Sequence, residues 1–353
     1  MAVLSIDLGK THSVACWYQM ADSTHEFRTL KSRPQDFHAL LTDRPVDRVV
    51  IEICDMAGWV VDLCRTLQIP VQVANANTEG WRWKNTKKKT DRDDALKLAK
   101  LSSMNQIPLV HVPERPVRQW RSLILYRHKL VERRTAIKNA IHAILVSEGR
   151  AMSRGPKSWN DQSMTQLRRL ARPLEECSRD DLWRVHLQME LTNLDHLQEQ
   201  ILKLEEKLDA LGEADAGVIR LKTIPGVGPR LSELVVAMID DPKRFKNARQ
   251  VGAYAGLTPR RYQSGEMDRS GRISRAGSGK LRKVLVQVAW GMLRNNTHGS
   301  AVFDRISKGQ KSRRKQAAVA LARRVLCWSW AMLRDGTDWR DPSRSRTPAM
   351  SGG

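Results

Sequence analysis

The chain has 353 residues, enough for two domains or for one domain with a large insertion. Lys and Arg number 61 against 38 Asp and Glu, a formal charge of +23, which points to a polyanionic partner and to nucleic acid first. No apolar run reaches the length of a membrane span, and five scattered cysteines (Cys16, Cys54, Cys64, Cys177, Cys327) read as reduced thiols with neither a zinc pattern nor a disulfide framework. Met1–Asp7 has no basic region leading into an apolar stretch and a cleavage site, so the expected location is the cytoplasm, at the nucleoid.

In chain order, Val3 to Asp7 is a short apolar strand ending in an acid, Gly9-Lys10 a turn, and Ser13 to Tyr18 a second strand. His25 to Leu30 supplies a third strand and Phe37 to Leu41 a helix after Pro34. Arg48 to Ile53 is strongly β-branched and carries Glu52 near its end; Trp59 to Leu67 suits a helix and Val71 to Ala74 a further strand. The order β-β-β-α-β-α-β-α describes an α/β domain with a mixed sheet. Asp7 and Glu52 fall on strands expected to be central, where an acid is costly unless satisfied.

Next comes Lys87-Lys88-Lys89-Thr90-Asp91-Arg92-Asp93-Asp94-Ala95, a lysine run opening onto closely spaced carboxylates. Ala95, Leu98, Ala99 and Leu101 recur at helical intervals, which puts Asp91 and Asp94 on one face. Such a pair can hold a hard cation such as Mg²⁺ against a negatively charged substrate, although acids also gather at helix starts because the dipole favours them there. Together with Asp7 and Glu52 they make four carboxylates, the makings of a two-metal site that stabilises the attacking and leaving oxygens of phosphodiester transfer. Asp93 is a rival for either helix position, but the spacing points it aside. Trp81 and Trp83 among the lysines suit stacking on unpaired bases, with ordinary core packing as the alternative.

Val117 to Val146 is a long helical pattern bearing Arg118, Arg121, Arg127, Lys129, Arg133, Arg134 and Lys138 against the single acid Glu132, so it reads either as a phosphate-tracking face or as a solvated one. Gly149 to Pro173 reads as irregular. In the helix that follows, Leu197, Ile201, Leu204, Leu208 and Leu211 step as a coiled-coil seam does, for a dimer or for packing against the basic helix. Ile224-Pro225-Gly226-Val227-Gly228 fits a hairpin between two helices, where Gly226 and Gly228 let backbone approach phosphate. Leu231 to Ile239 and Phe245 to Ala255 are helical. Gly256 to Gly277, with Arg260, Arg261, Arg269, Arg272 and Arg275, cannot build a core and reads as a basic loop with Ser264-Gly265 at a tight turn. Leu281 to Arg294 and Lys315 to Leu333 are helices, and Arg305 to Val325 holds eight basic residues and no acid.

Ile6-Asp7-Leu8-Gly9-Lys10, Ile51-Glu52, Lys89 to Ala95, Ile224 to Gly228 and Gly256 to Gly265 occur in the order seen in the DEDD transposases of bacterial insertion sequences, the bridge-RNA-guided recombinases. The chain resembles that family as far as about Arg334. The resemblance implies a RuvC-like, RNase H-like α/β domain over residues 1–110, a basic-helix and coiled-coil middle over 111–214, and a mostly α C-terminal transposase domain with a helix-hairpin-helix-like element over 215–340; the tail over 341–353 reads from its own composition as disordered. It assigns Asp7, Glu52, Asp91 and Asp94 to Mg²⁺, two ions, with Mn²⁺ as a substitute. It makes Ser264 the nucleophile that forms a phosphoserine link to DNA, its Tyr-Gln-Ser-Gly context favouring it over Ser270 and Ser274. No histidine lies near Ser264 in sequence, which suits activation by metal. The implied partners are double-stranded DNA of the element ends and target, a non-coding guide RNA, and further copies of the chain in a homodimer or tetramer. One departure is the run Ile53-Cys54-Asp55-Met56 after Glu52, where the family has small residues, so Asp55 is a second candidate for metal duty. The rival readings are a metal-dependent RuvC-like junction nuclease that uses water and binds DNA with its C-terminal half, and a non-enzymatic packaging protein.

Overall fold

The computed structural model describes residues 2–75, 90–150, 155–264 and 267–341. Lys87, Lys88, Lys89, Trp81, Trp83, Gly265 and the tail from 342 lie outside the described residues. The chain forms two compact units, Met1–Arg118 and Gln119–Gly353.

The first unit is built on a five-stranded sheet of β1 (Ala2–Asp7), β2 (His12–Gln19), β3 (His25–Lys31), β4 (Arg48–Glu52) and β5 (Val71–Ala74), in the order β3-β2-β1-β4-β5. β1 to β3 pair antiparallel, whereas β1–β4 and β4–β5 are parallel. The β1–β2 turn needs Gly9, since a Cβ there would stand 2.1 Å from the His12 carbonyl oxygen. β1 and β4 carry apolar residues at both alternations because both sheet faces are covered. Leu4, Ile6, Val49 and Ile51 pack on Phe37 and Leu40 of α1 (Pro34–Asp43) and Val60 of α2 (Ala57–Thr66). On the other face Val3, Val50 and Ala74 meet Leu98 and Ala99 of α3 (Asp91–Ser103). Each such side chain, fully buried, contributes roughly 1.5–3 kcal/mol. The element order expected from the sequence is the one found.

α4 (Arg115–Ser147) has its early arginines tied down. Arg118 donates to Asp62 (3.0 Å) and to the Pro113 carbonyl (2.7 Å) within the first unit.

In the second unit, α4 runs antiparallel to α6 (Leu182–Glu213). Ile141, Ile144 and Leu145 pack on Leu187, Leu191 and Leu194, while Leu130 packs on Leu197 and Ile201. The leucine stripe of α6 is therefore used inside the chain over these positions; Leu208 joins the C-terminal core and Leu211 is 38% exposed. Arg121 donates to the Ala237 carbonyl (2.8 Å) and Arg127 to Glu205 (2.8 Å), so much of the basic face of α4 is bound internally; Lys129 and Arg133 remain exposed. The expected irregular stretch at 149–173 contains α5 (Asp161–Leu170), started by Asn160, whose side chain accepts from the Ser163 amide at 2.9 Å, and anchored by buried Leu167. A lone leucine per turn is too faint a stripe to read, but the cap is enough to start a helix.

The C-terminal core gathers α7 (Ala216–Lys222), α8 (Pro229–Ile239), α9 (Ala248–Tyr254), α10 (Gly279–Asn295), α11 (Thr297–Ser307) and α12 (Arg314–Asp335). α12 buries Leu321, Val325 and Leu326 among Leu231, Leu234, Leu281 and Leu285. Two acids bridge helices here. Glu132 of α4 pairs with Lys280 and Lys283 of α10, and Asp209 of α6 receives Arg230 of α8, which also donates at 3.1 and 3.2 Å to Glu233 of its own helix, 2% exposed.

Burial pushes the Glu233 carboxyl from 4.5 up to about 7, against the pull of Arg230. A carboxyl with a raised folded-state pKa holds more protons folded than unfolded, so it lowers stability as pH rises from 4.5 through 7. Chemical denaturation at pH 5 and pH 8 is expected to show wild type losing stability with pH, and Glu233→Gln losing clearly less. Equal losses in the two proteins would contradict the assignment.

Candidate active site

α3 is oriented by polar contacts at both ends. Near its start, the buried Ser5 Oγ of β1 donates to the Ala95 carbonyl at 2.6 Å. At its end, Arg48 of β4 donates to Ser102 Oγ (2.9 Å) and to its carbonyl (2.7 Å). The helix thus runs against the direction of β1 and β4, and its first turn lies at their carboxyl ends.

Asp7 and Glu52 occupy those ends. Ile6 is in register with Ile51, so the two acids follow on adjacent parallel strands, about 4.8 Å apart in strand spacing. Strand alternation places Asp7 on the Ser5 face and Glu52 on the Val50 face, which is the side covered by α3. The sheet-facing stripe of α3 is Ala95, Leu98, Ala99 and Ser102; extended back one turn it passes through Asp94 and Asp91. Asp7, Glu52 and Asp94 are half-buried and Asp91 is exposed. The four predicted carboxylates therefore share one end and one face of the sheet. As a ligand set they are all hard oxygen donors, which suits Mg²⁺ or Mn²⁺. Among the described residues, however, no three His, Cys, Asp or Glu side chains stand close enough together to hold an ion, so a bound metal requires the carboxylates to draw in.

The two other candidate acids, Asp93 and Asp55, have different surroundings. Thr90 caps α3, its Oγ1 accepting from the Asp93 amide (3.2 Å) and donating to Asp93 Oδ2 (2.7 Å). Asp93 thus bonds the cap residue through both its amide and its carboxylate, at the helix start. Asp55 is exposed in the turn after β4.

Ser264 belongs to the second unit. The expected basic loop is a β-ribbon of β6 (Pro259–Ser264) and β7 (Met267–Ile273), paired antiparallel with an irregularity between Pro259 and Arg261. Exposed Ser264 stands opposite Met267 at the tip. The composition does rule out a core, and β6 is exposed throughout; backbone pairing and the Arg261–Asp268 ion pair (2.8 Å) need none. Arg260 donates to the Ser274 carbonyl (3.3 Å) and Arg282 to the Ala276 carbonyl (2.7 Å), holding the ribbon's root. Arg269, Arg272 and Arg275 are exposed.

The two glycines between α7 and α8 differ. Gly226 has φ +87° and a Cβ there would lie 3.0 Å from Met292 Cγ, so it serves the turn and its packing. Gly228 caps α8 and has open space where a Cβ would be, leaving room for an approaching phosphate.

Sequence reasoning did not single out Arg249, Lys315, Arg323 and Arg324, which join Arg272 and Arg275 around a groove of about 1380 Å³ at the ribbon root. The acid-free run from Arg305 to Val325 was the available signal; its meeting with the ribbon was not readable from spacing.

Residues 4–148 match a family described as transposase, of the DEDD IS110 type, and residues 219–304 match the transposase IS116/IS110/IS902 family. The transposase for insertion sequence element IS1111A of Coxiella burnetii is 30% identical over 81% of this chain and 77% of its own length. A protein named as a transposase, y4pF/y4sB of Sinorhizobium fredii, is 31% identical over 71% of this chain, the match spanning 64% of that relative. The pilin gene-inverting protein of Moraxella lacunata is 27% identical over 42% of this chain and 45% of itself. The chain belongs to the IS110/IS116 family of DEDD transposases of bacterial insertion sequences. No helix among the described residues is long and apolar enough to cross a membrane.

Thr90→Ala removes the cap of α3 and is expected to lower the stability of the first unit by about 1 kcal/mol, seen as an earlier denaturation midpoint. An unchanged midpoint would contradict the capping role.

Proposed function

We propose that this chain cuts and rejoins the DNA of an insertion sequence, with Ser264 as nucleophile and with Asp7, Glu52, Asp91 and Asp94 holding divalent metal, two Mg²⁺ ions or Mn²⁺ in their place. The observation that carries the reading is the placement of all four acids at one end of the sheet, in a chain of this family. When bound, the metal supplies charge stabilisation at the phosphorus and makes a hydroxyl a competent nucleophile.

The Ser264 oxygen displaces one deoxyribose oxygen at phosphorus; the P–O bond to serine forms as the bond to sugar breaks, and the serine proton ends on the leaving oxygen. The phosphodiester is conserved as phosphoserine, so a second strand's hydroxyl reverses the step and rejoins DNA without an energy source. A relative named for gene inversion supports rejoining, because an inverted segment must be sealed at both ends. An exposed ribbon with free arginines at its sides supports DNA contact, since such ribbons fit the major groove. Gly228 and the turn before it form the helix-hairpin-helix-like contact to backbone, with Lys87, Lys88 and Lys89 as further phosphate contacts.

The N-terminal domain is proposed to be RNase H-like of the RuvC type. Donor and target are selected by a guide RNA, which leaves the protein to recognise shape and charge. The assembly that goes with this chemistry is a homodimer or tetramer in the bacterial cytoplasm.

The test is a denaturing gel of purified protein with Mg²⁺, labelled element-end DNA and the flanking non-coding RNA. Wild type is expected to give a protein–DNA adduct that is absent in Ser264→Ala and in Asp91→Ala. Cutting by Ser264→Ala without any adduct would replace this reading with a water-using metal nuclease.

A further inference from the structure

The groove at the ribbon root has a rim of Arg249 from α9, Arg272 and Arg275 from the ribbon and its exit, and Lys315, Arg323 and Arg324 from α12. None of the six is paired with an acid among the described residues, whereas Arg118, Arg127 and Arg230 each have a carboxylate partner. Five of the six are exposed and Arg323 is half-buried. Like charges gathered without counter-charges raise the free energy of the folded state, and a polyanion offsets that cost. Between the cations the walls are aliphatic, from Leu257, Ile273 and Val319. A duplex offers its phosphates and sugars to such a rim but leaves the aliphatic interior empty. A strand with unstacked bases fills both parts, phosphates on the rim and bases inside.

We propose that this groove is a binding site for a single-stranded nucleic-acid segment, distinct from the residues that cut. Its place fits a holding role. The ribbon springs from one wall of the groove, so a strand lodged there is tethered at the root of the element whose far end carries Ser264. Binding at the groove calls on neither metal nor Ser264, so the site stands or falls apart from the cutting chemistry.

The test measures fluorescence anisotropy of the full chain in EDTA with labelled oligonucleotides of about 12 nucleotides, as single-stranded DNA, single-stranded RNA and duplex DNA. Arg324→Glu with Lys315→Glu alters two exposed rim positions, and Lys203→Glu, exposed on α6, reverses one charge away from the groove as a control. The groove variant is expected to bind single strands about tenfold or more weakly and with a shallower salt dependence, while duplex binding shifts less than about threefold. Lys203→Glu should bind single strands within about threefold of wild type. A loss for DNA or for RNA supports the site, and the polymer that loses more is its ligand. Unchanged single-strand binding, an equal loss for duplex, or an equal loss in Lys203→Glu would overturn the proposal. Arg249→Glu, exposed on α9 and off the ribbon, repeats the test should the α12 variant fold poorly.

Discussion

The contact on which the first unit depends is the one between Ser5 of β1 and the carbonyl of Ala95 in α3. A buried hydroxyl in a central strand is costly unless it is bonded, and the bond it makes fixes where the helix begins over the sheet. Arg48 and Ser102 close the far end. With both ends held, the first turn of α3 has one place to go, above the carboxyl ends of β1 and β4, where Asp7 and Glu52 emerge. Three segments far apart in sequence thereby present acids to a common region, and apolar packing of Leu98 and Ala99 on Val3 and Val50 holds them there.

Charge in the second unit is divided by use. Arg121, Arg127 and Arg230 carry out structural work, capping a helix end or bridging helices through buried or half-buried carboxylates. The six cations of the groove rim have no acid partner among the described residues and face the groove instead. A count of basic residues cannot distinguish the two groups; the distinction lies in which carbonyls and acids come within reach once α4, α6 and α8 have packed.

Much of the first unit was legible because its signals are local. β-branched runs marked β1 and β4, and helical spacing after Thr90 put Asp91 and Asp94 on the sheet-facing side of α3. The preference for Asp94 over Asp93 followed from that spacing, and Asp93 is the acid that bonds the Thr90 cap. The ribbon was missed because a two-stranded hairpin with no core lacks the apolar alternation that marks a strand; its pairing is backbone to backbone. The α6 stripe left two partners open, since a heptad pattern is the same whether its partner is another chain or α4. Leu130 lying against Leu197 and Ile201 decides for α4 at those positions.

The central claim is that acids from two strands and one helix form a metal site in which Asp94 takes part and Asp93 does not. Its most direct test is titration of Mn²⁺ into the full chain, the free ion being read by electron paramagnetic resonance, for wild type, Asp94→Asn and Asp93→Asn. The account predicts that wild type binds Mn²⁺, that Asp94→Asn weakens binding by about tenfold or more, and that Asp93→Asn stays close to wild type. Equal losses in the two variants, or no binding by wild type, would contradict it.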